Sequence, residues 1–288
     1  MKVFDCTTFY NENMMLELRF NILDPYVDKF VITESKYSHS GEKKKLNFDI
    51  NKFKDFKKKI NYIVVENEPD NLFDENKLHL DKSGNNQIRE NSIKRIAHQR
   101  DSLISGIEEA DENDYIFYSD NDEIPRFENV NLEKNKNKIV AFKQKLFYYK
   151  FNLQSISQQY WSGSRICVKK YLKSPQWIRN LKFGKRPWWR FDKLRLNHIL
   201  KEGGWHFCNL KDSETLLYKY KNMCETNDPY IFKEQIDSKY LNVEEIKKSI
   251  DLGIDLIGRG HQFKKVNIDE QYPKYILENS NKFKDWII

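Results

Sequence analysis

The chain is poor in cysteine and has no long apolar run and no glycine-rich phosphate loop, and each absence removes a class of function. Its four cysteines, Cys6, Cys167, Cys208 and Cys224, stand isolated in 288 residues. With no C-x-x-C pair, a structural zinc cluster is not expected, and a reducing compartment is the simpler setting. No apolar stretch approaches the roughly 20 residues that span a bilayer. The opening MKVFDCTTFYNEN carries acids and polar residues where a signal peptide needs an apolar segment. The expectation is a soluble, cytoplasmic protein with no transmembrane segment. G-x-S-x-G is absent, as are G-x-x-x-x-G-K-[ST] and G-x-G-x-x-G, and no cysteine has an obvious His and acid partner nearby. Neither a serine or cysteine nucleophile nor a nucleotide-binding glycine loop is signalled. No internal repeat, low-complexity block or clear linker interrupts the chain.

What is present is a foldable composition. Hydrophobic residues make up 39%, charged residues 32% and aromatics 14%, which is polar but far from disordered and rich in large core side chains. The net charge of +7 comes from 50 basic against 43 acidic residues spread along the chain. That balance fits an anionic substrate or surface without demanding nucleic acid. The length fits one large domain or a domain with an appendage, here residues 1–240 with a helical extension over 241–288.

The most informative stretch is YIFYSDNDEIPR, Tyr115 to Arg126. An apolar, aromatic run typical of a buried strand ends in Ser119, Asp120, Asn121, Asp122 and Glu123, and Pro125 stops it. Acceptor side chains therefore gather at a strand's carboxyl end, where ligands bind in open α/β sheets. In extended chain, residues two apart point the same way, so Asp120 and Asp122 can converge on one divalent ion. Hard carboxylate oxygens suit Mg²⁺ or Mn²⁺. With 43 acids in 288 residues, acid-x-acid spacing recurs about six times by chance; the preceding apolar run is what sets this instance apart.

In chain order, Val3 to Phe9 reads as a strand and Asn11 to Leu23 as a helix with Met14, Met15, Leu18 and Ile22 at helical spacing and Asn11 or Asn13 as cap. Strands follow at Lys29 to Thr33 and Ile60 to Val65, a rhythm of βαβ units and a largely parallel sheet. Asp70 to Asn86 reads as a polar loop, and Gln87 to Glu109 as a long helix whose Arg100 is placed to hold a diphosphate. Beyond Pro125 come a short helical segment near Glu128 to Lys134, one strand from Lys138 to Tyr149, and another at Arg165 to Lys169. From Arg179 to Arg195, Trp188, Trp189 and Phe191 lie among seven basic residues. Single-stranded nucleic acid, a membrane surface, a sugar-acceptor platform or plain core packing with Arg stems laid over Trp would each use that mixture. In LKEGGWHFCNL, two glycines allow a bend or a close backbone approach before Trp205 and His206. The tail reads as a helix through Ile246 to Leu252, a loop with Arg259, and a last helix after Pro273.

Taken together, the stretches DCTTFYNENMMLELRFNILDPYVDKFVITES, HSGEKK, HQRD, SDNDEIPR, GGWHF, GIDLIGR and YPKYILENSNKFKDWI resemble, in the same order along nearly the whole chain, glycosyltransferase family 17. Its best-known members add the bisecting N-acetylglucosamine to N-glycans. The resemblance implies an α/β, GT-A type Rossmann-like fold with a mostly parallel central sheet and helices on both faces. It implies inverting transfer of a sugar, N-acetylglucosamine first, from a UDP-sugar to a glycan or glycolipid acceptor. Asp120 and Asp122 would then bind Mn²⁺ or Mg²⁺ and the diphosphate, with His206 near the metal. Phe9, Asn11 and Glu34 would contact base and ribose, and Arg100 the phosphates. For the general base, Glu202 ranks first because it adjoins the glycine turn, with Asp192, Glu225 and Glu123 as alternatives. The chain departs from animal members in starting directly at the first strand, and Cys224 stands in KNMCET where the family pattern has His. A microbial or viral enzyme decorating a glycan precursor, with peripheral membrane contact, fits this better than N-glycan bisection. Two other readings compete: a metal-dependent phosphodiesterase or nucleic-acid-binding protein using the acidic loop and the Arg/Trp stretch, and a catalytically silent carbohydrate binder.

Overall fold

A computed structural model describes residues 1–77, 82–136, 138–183, 196, 198–222, 242–256 and 260–288. The Trp188/Trp189/Phe191 stretch, Asp192, Cys224, Glu225 and Arg259 lie outside the described residues. Described strands are β1 (Val3–Phe9), β2 (Lys29–Ser35), β3 (Ile60–Val65), β4 (Tyr115–Tyr118), β5 (Glu123–Pro125), β6 (Val140–Phe142), β7 (Gln144–Tyr148), β8 (Leu153–Ser155), β9 (Tyr160–Trp161), β10 (Arg165–Val168), β11 (His198–Leu200), β12 (Gly204–Cys208) and β13 (Phe263–Lys265). Described helices are α1 (Asn13–Leu23), α2 (Lys82–Asp101), α3 (Leu132–Asn135), α4 (Pro175–Asn180), α5 (Ser213–Asn222), α6 (Val243–Asp251) and α7 (Lys274–Glu278).

The strands form two sheets. The first has seven strands in the order β11-β6-β10-β4-β1-β2-β3. Its pairings are parallel except where β10 runs against β4 and β6. Alternation along its strands explains why both faces are covered. Val3, Phe30, Ile32, Tyr115 and Phe117 pack on one face against Leu16, Phe20 and Leu23 of α1. Phe4, Cys6, Val31, Ile116 and Tyr118 pack on the other against Ile178 of α4 and Leu103 and Ile107 of the 3₁₀ turn Ser102–Ile107.

The second sheet was not expected from the sequence. It runs β13-β8-β7-β12-β5, with β9 also on β7, and its pairings are antiparallel except β12 with β7. Helix α1 is shared between the sheets: its opposite side places Met15 and Leu18 among Ile124, Phe147, Trp205 and Phe207. Buried on both sides, α1 has no clean polar face. On the far face of the second sheet, Leu216 and Tyr220 of α5 and Ile246 and Ile250 of α6 cover Leu146 and Tyr148. Tyr272, Ile276 and Phe283 of the tail join the cluster under α1, and β13 pairs with β8.

Several boundaries differ from expectation for physical reasons. The run Lys138 to Tyr149 is two strands in different sheets, β6 and β7, with the partner change at Lys143. Pro125 does not stop pairing altogether, because β5 is an edge strand, where a residue without N–H is tolerated. The long helix begins earlier, at Lys82, and gives way to the 3₁₀ turn at Ser102. Neither Asn11 nor Asn13 caps α1: the cap position is Glu12, whose side chain makes no capping bond.

Candidate functional site

The chain passes from the first sheet to the second through residues 119–122, between β4 and β5, and that crossing is the acidic loop. It is gripped from α1 by Arg19, which is wholly buried with Asp5. Arg19 donates from Nε and Nη2 to the two Asp5 carboxylate oxygens at 2.7 and 2.5 Å. It also reaches Ser119 Oγ at 2.5 Å and the Glu123 carbonyl at 2.9 Å. A planar guanidinium with five donors can satisfy a carboxylate and a loop at once.

On one side of the loop, Asp120 is locked to cations. Arg100 of α2 donates to both of its oxygens at 3.0 and 3.2 Å, Arg179 of α4 at 2.7 Å, and the Tyr118 hydroxyl at 2.9 Å. Burial opposes ionisation of Asp120, but Arg100 and Arg179 outweigh it and hold its carboxyl well below the usual range. Glu123 is sealed beside it, receiving Trp161 Nε1 at 2.5 Å, Arg179 at 2.9 Å and Ser164 Oγ at 3.2 Å. Gly163 makes this packing possible: a Cβ there would lie 1.9 Å from both Arg179 Nη1 and Glu123 Oε1.

Asp122, on the other side, faces β12. His206 Nε2 is 3.4 Å from its carboxylate, and ligand atoms of Asp122, His206 and Cys208 all lie within 4.8 Å of one another. Burial works against a charged His206, yet the Asp122 carboxylate raises the imidazole pKa well above its ordinary value. The close approach of β12 to β5 depends on Gly204, which has φ +121°, and a Cβ there would lie 2.2 Å from the Ile124 carbonyl oxygen.

Beside the loop, at the carboxyl ends of β1 and β4, opens a cavity of about 310 Å³. Its walls include Phe9, Asn11, Glu12, His39, Arg100, Asp120, Asp122, Lys211, Tyr218 and Lys219. Glu12 disfavours its charge through burial, but Lys211 and Lys219 dominate and lower its pKa to about 2. His39 is pushed the other way from His206, down to about 4, by burial and then by Arg100 and Lys219.

Of the residues singled out in the sequence, Phe9, Asn11, Arg100, Asp120 and Asp122 line this cavity, and His206 stands behind Asp122. The Phe9 ring itself is 1% exposed and packs edge-on against Phe48, while Asn11 Oδ1 receives Lys211 Nζ at 2.6 Å. Glu34 is not on the wall. Its buried carboxylate receives Lys44 Nζ at 2.6 Å, the Asn47 and Phe48 amides at 2.8 and 3.0 Å, and the Tyr62 hydroxyl at 2.9 Å, so it fastens the loop that follows β2. Glu202 also lies off the wall, in the turn before β12, 54% exposed and 3.8 Å from Lys145. Sequence reasoning missed Arg19, Arg179, Glu12, His39, Lys211, Lys219 and Cys208. Only Cys208 had a local signal, since it follows His206 by two residues on one strand.

A crevice at strand carboxyl ends that sets paired arginines next to a carboxylate–imidazole–thiol cluster has the chemistry to take an anionic ligand, and Asp122, His206 and Cys208 are the residues that could hold a cation beside it. The chain belongs to glycosyltransferase family 17, whose family model matches residues 1–286. It is thus a transferase that binds a sugar donor and an acceptor. No curated protein matches the chain. Among the described residues, no helix is long and apolar enough to cross a membrane.

Proposed function

We propose that the chain is an inverting, metal-assisted glycosyltransferase of the GT-A type, moving N-acetylglucosamine from a UDP-sugar to a glycan or glycolipid acceptor. The observation that carries this reading is the adjacency, on one cavity wall, of an arginine-bound Asp120 and an Asp122 that faces His206. The single antiparallel strand β10 within an otherwise parallel sheet supports the fold type.

The donor set fits a divalent ion, since an Asp122 carboxylate oxygen and a His206 ring nitrogen converge 3.4 Å apart at the cavity wall. Asp122 and His206 would hold it, and the chemistry it supplies when bound is neutralisation of the leaving diphosphate. Arg100, with Lys211 and Lys219 on the facing wall, provides fixed positive charge for the same phosphates. Single displacement needs a proton acceptor for the attacking hydroxyl. Glu12 is unsuited, because its two lysines keep its pKa near about 2. Glu123 is unsuited because Arg179, Trp161 and Ser164 occupy its oxygens. Asp192 stays a candidate base from the sequence, and so does Glu202, although its place off the wall is against it.

Calorimetric titration with a panel of nucleoside diphosphates, in Mn²⁺ and again in EDTA, tests the reading. UDP binding that needs metal and is lost in Asp122→Ala is the expected result. Absence of binding by every nucleotide in both conditions removes the proposal.

A further inference from the structure

Cys208 ends β12 two residues after His206, and residues two apart on a strand project to the same side. Phe207 between them is fully buried against Phe147 and Phe151, which pins the strand so that both polar side chains face Asp122. The three ligand atoms lie within 4.8 Å of one another, and Cys208 is a free, partly buried thiol. Among the described residues, His206 Nδ1 and Asn121 Oδ1 are buried without a hydrogen-bond partner, and it is the ring's other nitrogen, Nε2, that lies 3.4 Å from the Asp122 carboxylate. A carboxylate oxygen, an imidazole nitrogen and a thiol sulfur gathered this closely are the donor set of a borderline divalent cation.

We infer that Cys208 is the third protein ligand of the cation site, bound as thiolate, so that the site is an oxygen–nitrogen–sulfur set selecting a borderline divalent ion such as Zn²⁺ or Co²⁺ over Mg²⁺. This rests on the metal-assisted reading above and narrows it. Carboxylate and water ligands favour Mg²⁺, whereas a thiolate favours softer ions, and imidazole suits both Zn²⁺ and Co²⁺. Binding is balanced by loss of protons from the ligands: the Cys208 S–H bond and the N–H bond at the ligating His206 nitrogen break, the sulfur and nitrogen pairs go to the metal, and the protons go to solvent. Occupancy therefore also hides Cys208 from alkylating reagents.

Titration of the full chain with Co²⁺ tests the assignment. The expected result is a sulfur-to-cobalt charge-transfer band that saturates at one equivalent and disappears in Cys208→Ser. Zn²⁺ affinity in that variant falls about tenfold or more, with a smaller change for Mn²⁺. On the unaltered protein, Zn²⁺ slows iodoacetamide labelling of Cys208, read by mass spectrometry, so the test does not depend on a variant that folds. If Co²⁺ binds, by calorimetry and visible absorption, with no charge-transfer band, or the band survives in Cys208→Ser, or bound Zn²⁺ leaves labelling unchanged, the Cys208 assignment is overturned while the metal-assisted reading stands. If none of Co²⁺, Zn²⁺ and Mn²⁺ binds, both fall.

Discussion

Asp120 and Asp122 sit two residues apart on one loop, yet each faces what a different sheet presents. Asp120 looks to the first sheet's helices and meets Arg100 and Arg179. Asp122 looks to the second sheet and meets His206 and Cys208. The two histidines repeat the contrast: burial, and then the cations Arg100 and Lys219, drive His39 down to about 4, whereas the Asp122 carboxylate overcomes burial and drives His206 up. One residue type is thus given two electrostatic tasks by the neighbours that distant segments bring.

The largest effect should come from removing what both sides share. Arg19→Met leaves Asp5 buried and uncompensated, which costs about 3–5 kcal/mol, and denaturant unfolding would show it. Asp5→Leu added to Arg19→Met should recover much of that loss without restoring transfer, because the loop stays ungripped. Next, Asp122→Ala strikes the second-sheet side alone. Sugar transfer should fall about 10²–10³-fold in a steady-state assay, while the chain stays folded with a modest loss of melting temperature at neutral pH, because His206 loses the carboxylate that raises its pKa. Gly163→Ala strikes the other side: forcing Arg179 and Glu123 apart should cost about 1–3 kcal/mol and weaken nucleotide binding, with metal affinity unchanged by calorimetry. An equal loss of metal and nucleotide affinity there would erase the distinction between the two sides. The smallest effect concerns pH. His39 has a folded pKa of about 4 against an ordinary 6.5, so the unfolded chain binds more protons between these values. Stability should therefore rise with pH from about 4 to about 6.5, and His39→Gln should flatten that slope in thermal melts.

The first sheet was legible and the second was not, for a physical reason. Strands β1 to β4 are rich in β-branched and aromatic residues between polar breaks, and β1, β2 and β4 are buried on both faces, so composition marks them. The second sheet joins β5, β7, β8, β12 and β13, pieces of 3 to 5 residues from across the chain, too short to show a period. The switch at Lys143 is silent because burial continues on both sides of it. The site divides in the same way. Asp120, Asp122, Arg100 and the glycines before His206 announced themselves through motif and spacing, and family membership agrees with the resemblance they carried. Arg179 and Lys211 did not, since the contacts that make them important cross 59 residues to Asp120 and 199 to Glu12. Glu34 misled because an acid at a strand's end serves a ligand or a loop equally well, and here the loop's two amides and Lys44 took it.

The grip of Arg19 on the acidic crossing also bears on engineering. Ser119 to Glu123 looks like a short cassette that could be moved to another scaffold, but its shape is dictated by a guanidinium placed a hundred residues earlier and by the aspartate that neutralises it. A transplanted loop would carry the acids without their geometry. A portable unit needs at least β1, α1 and β4 with the loop, together with the arginines of α2 and α4 that bind Asp120.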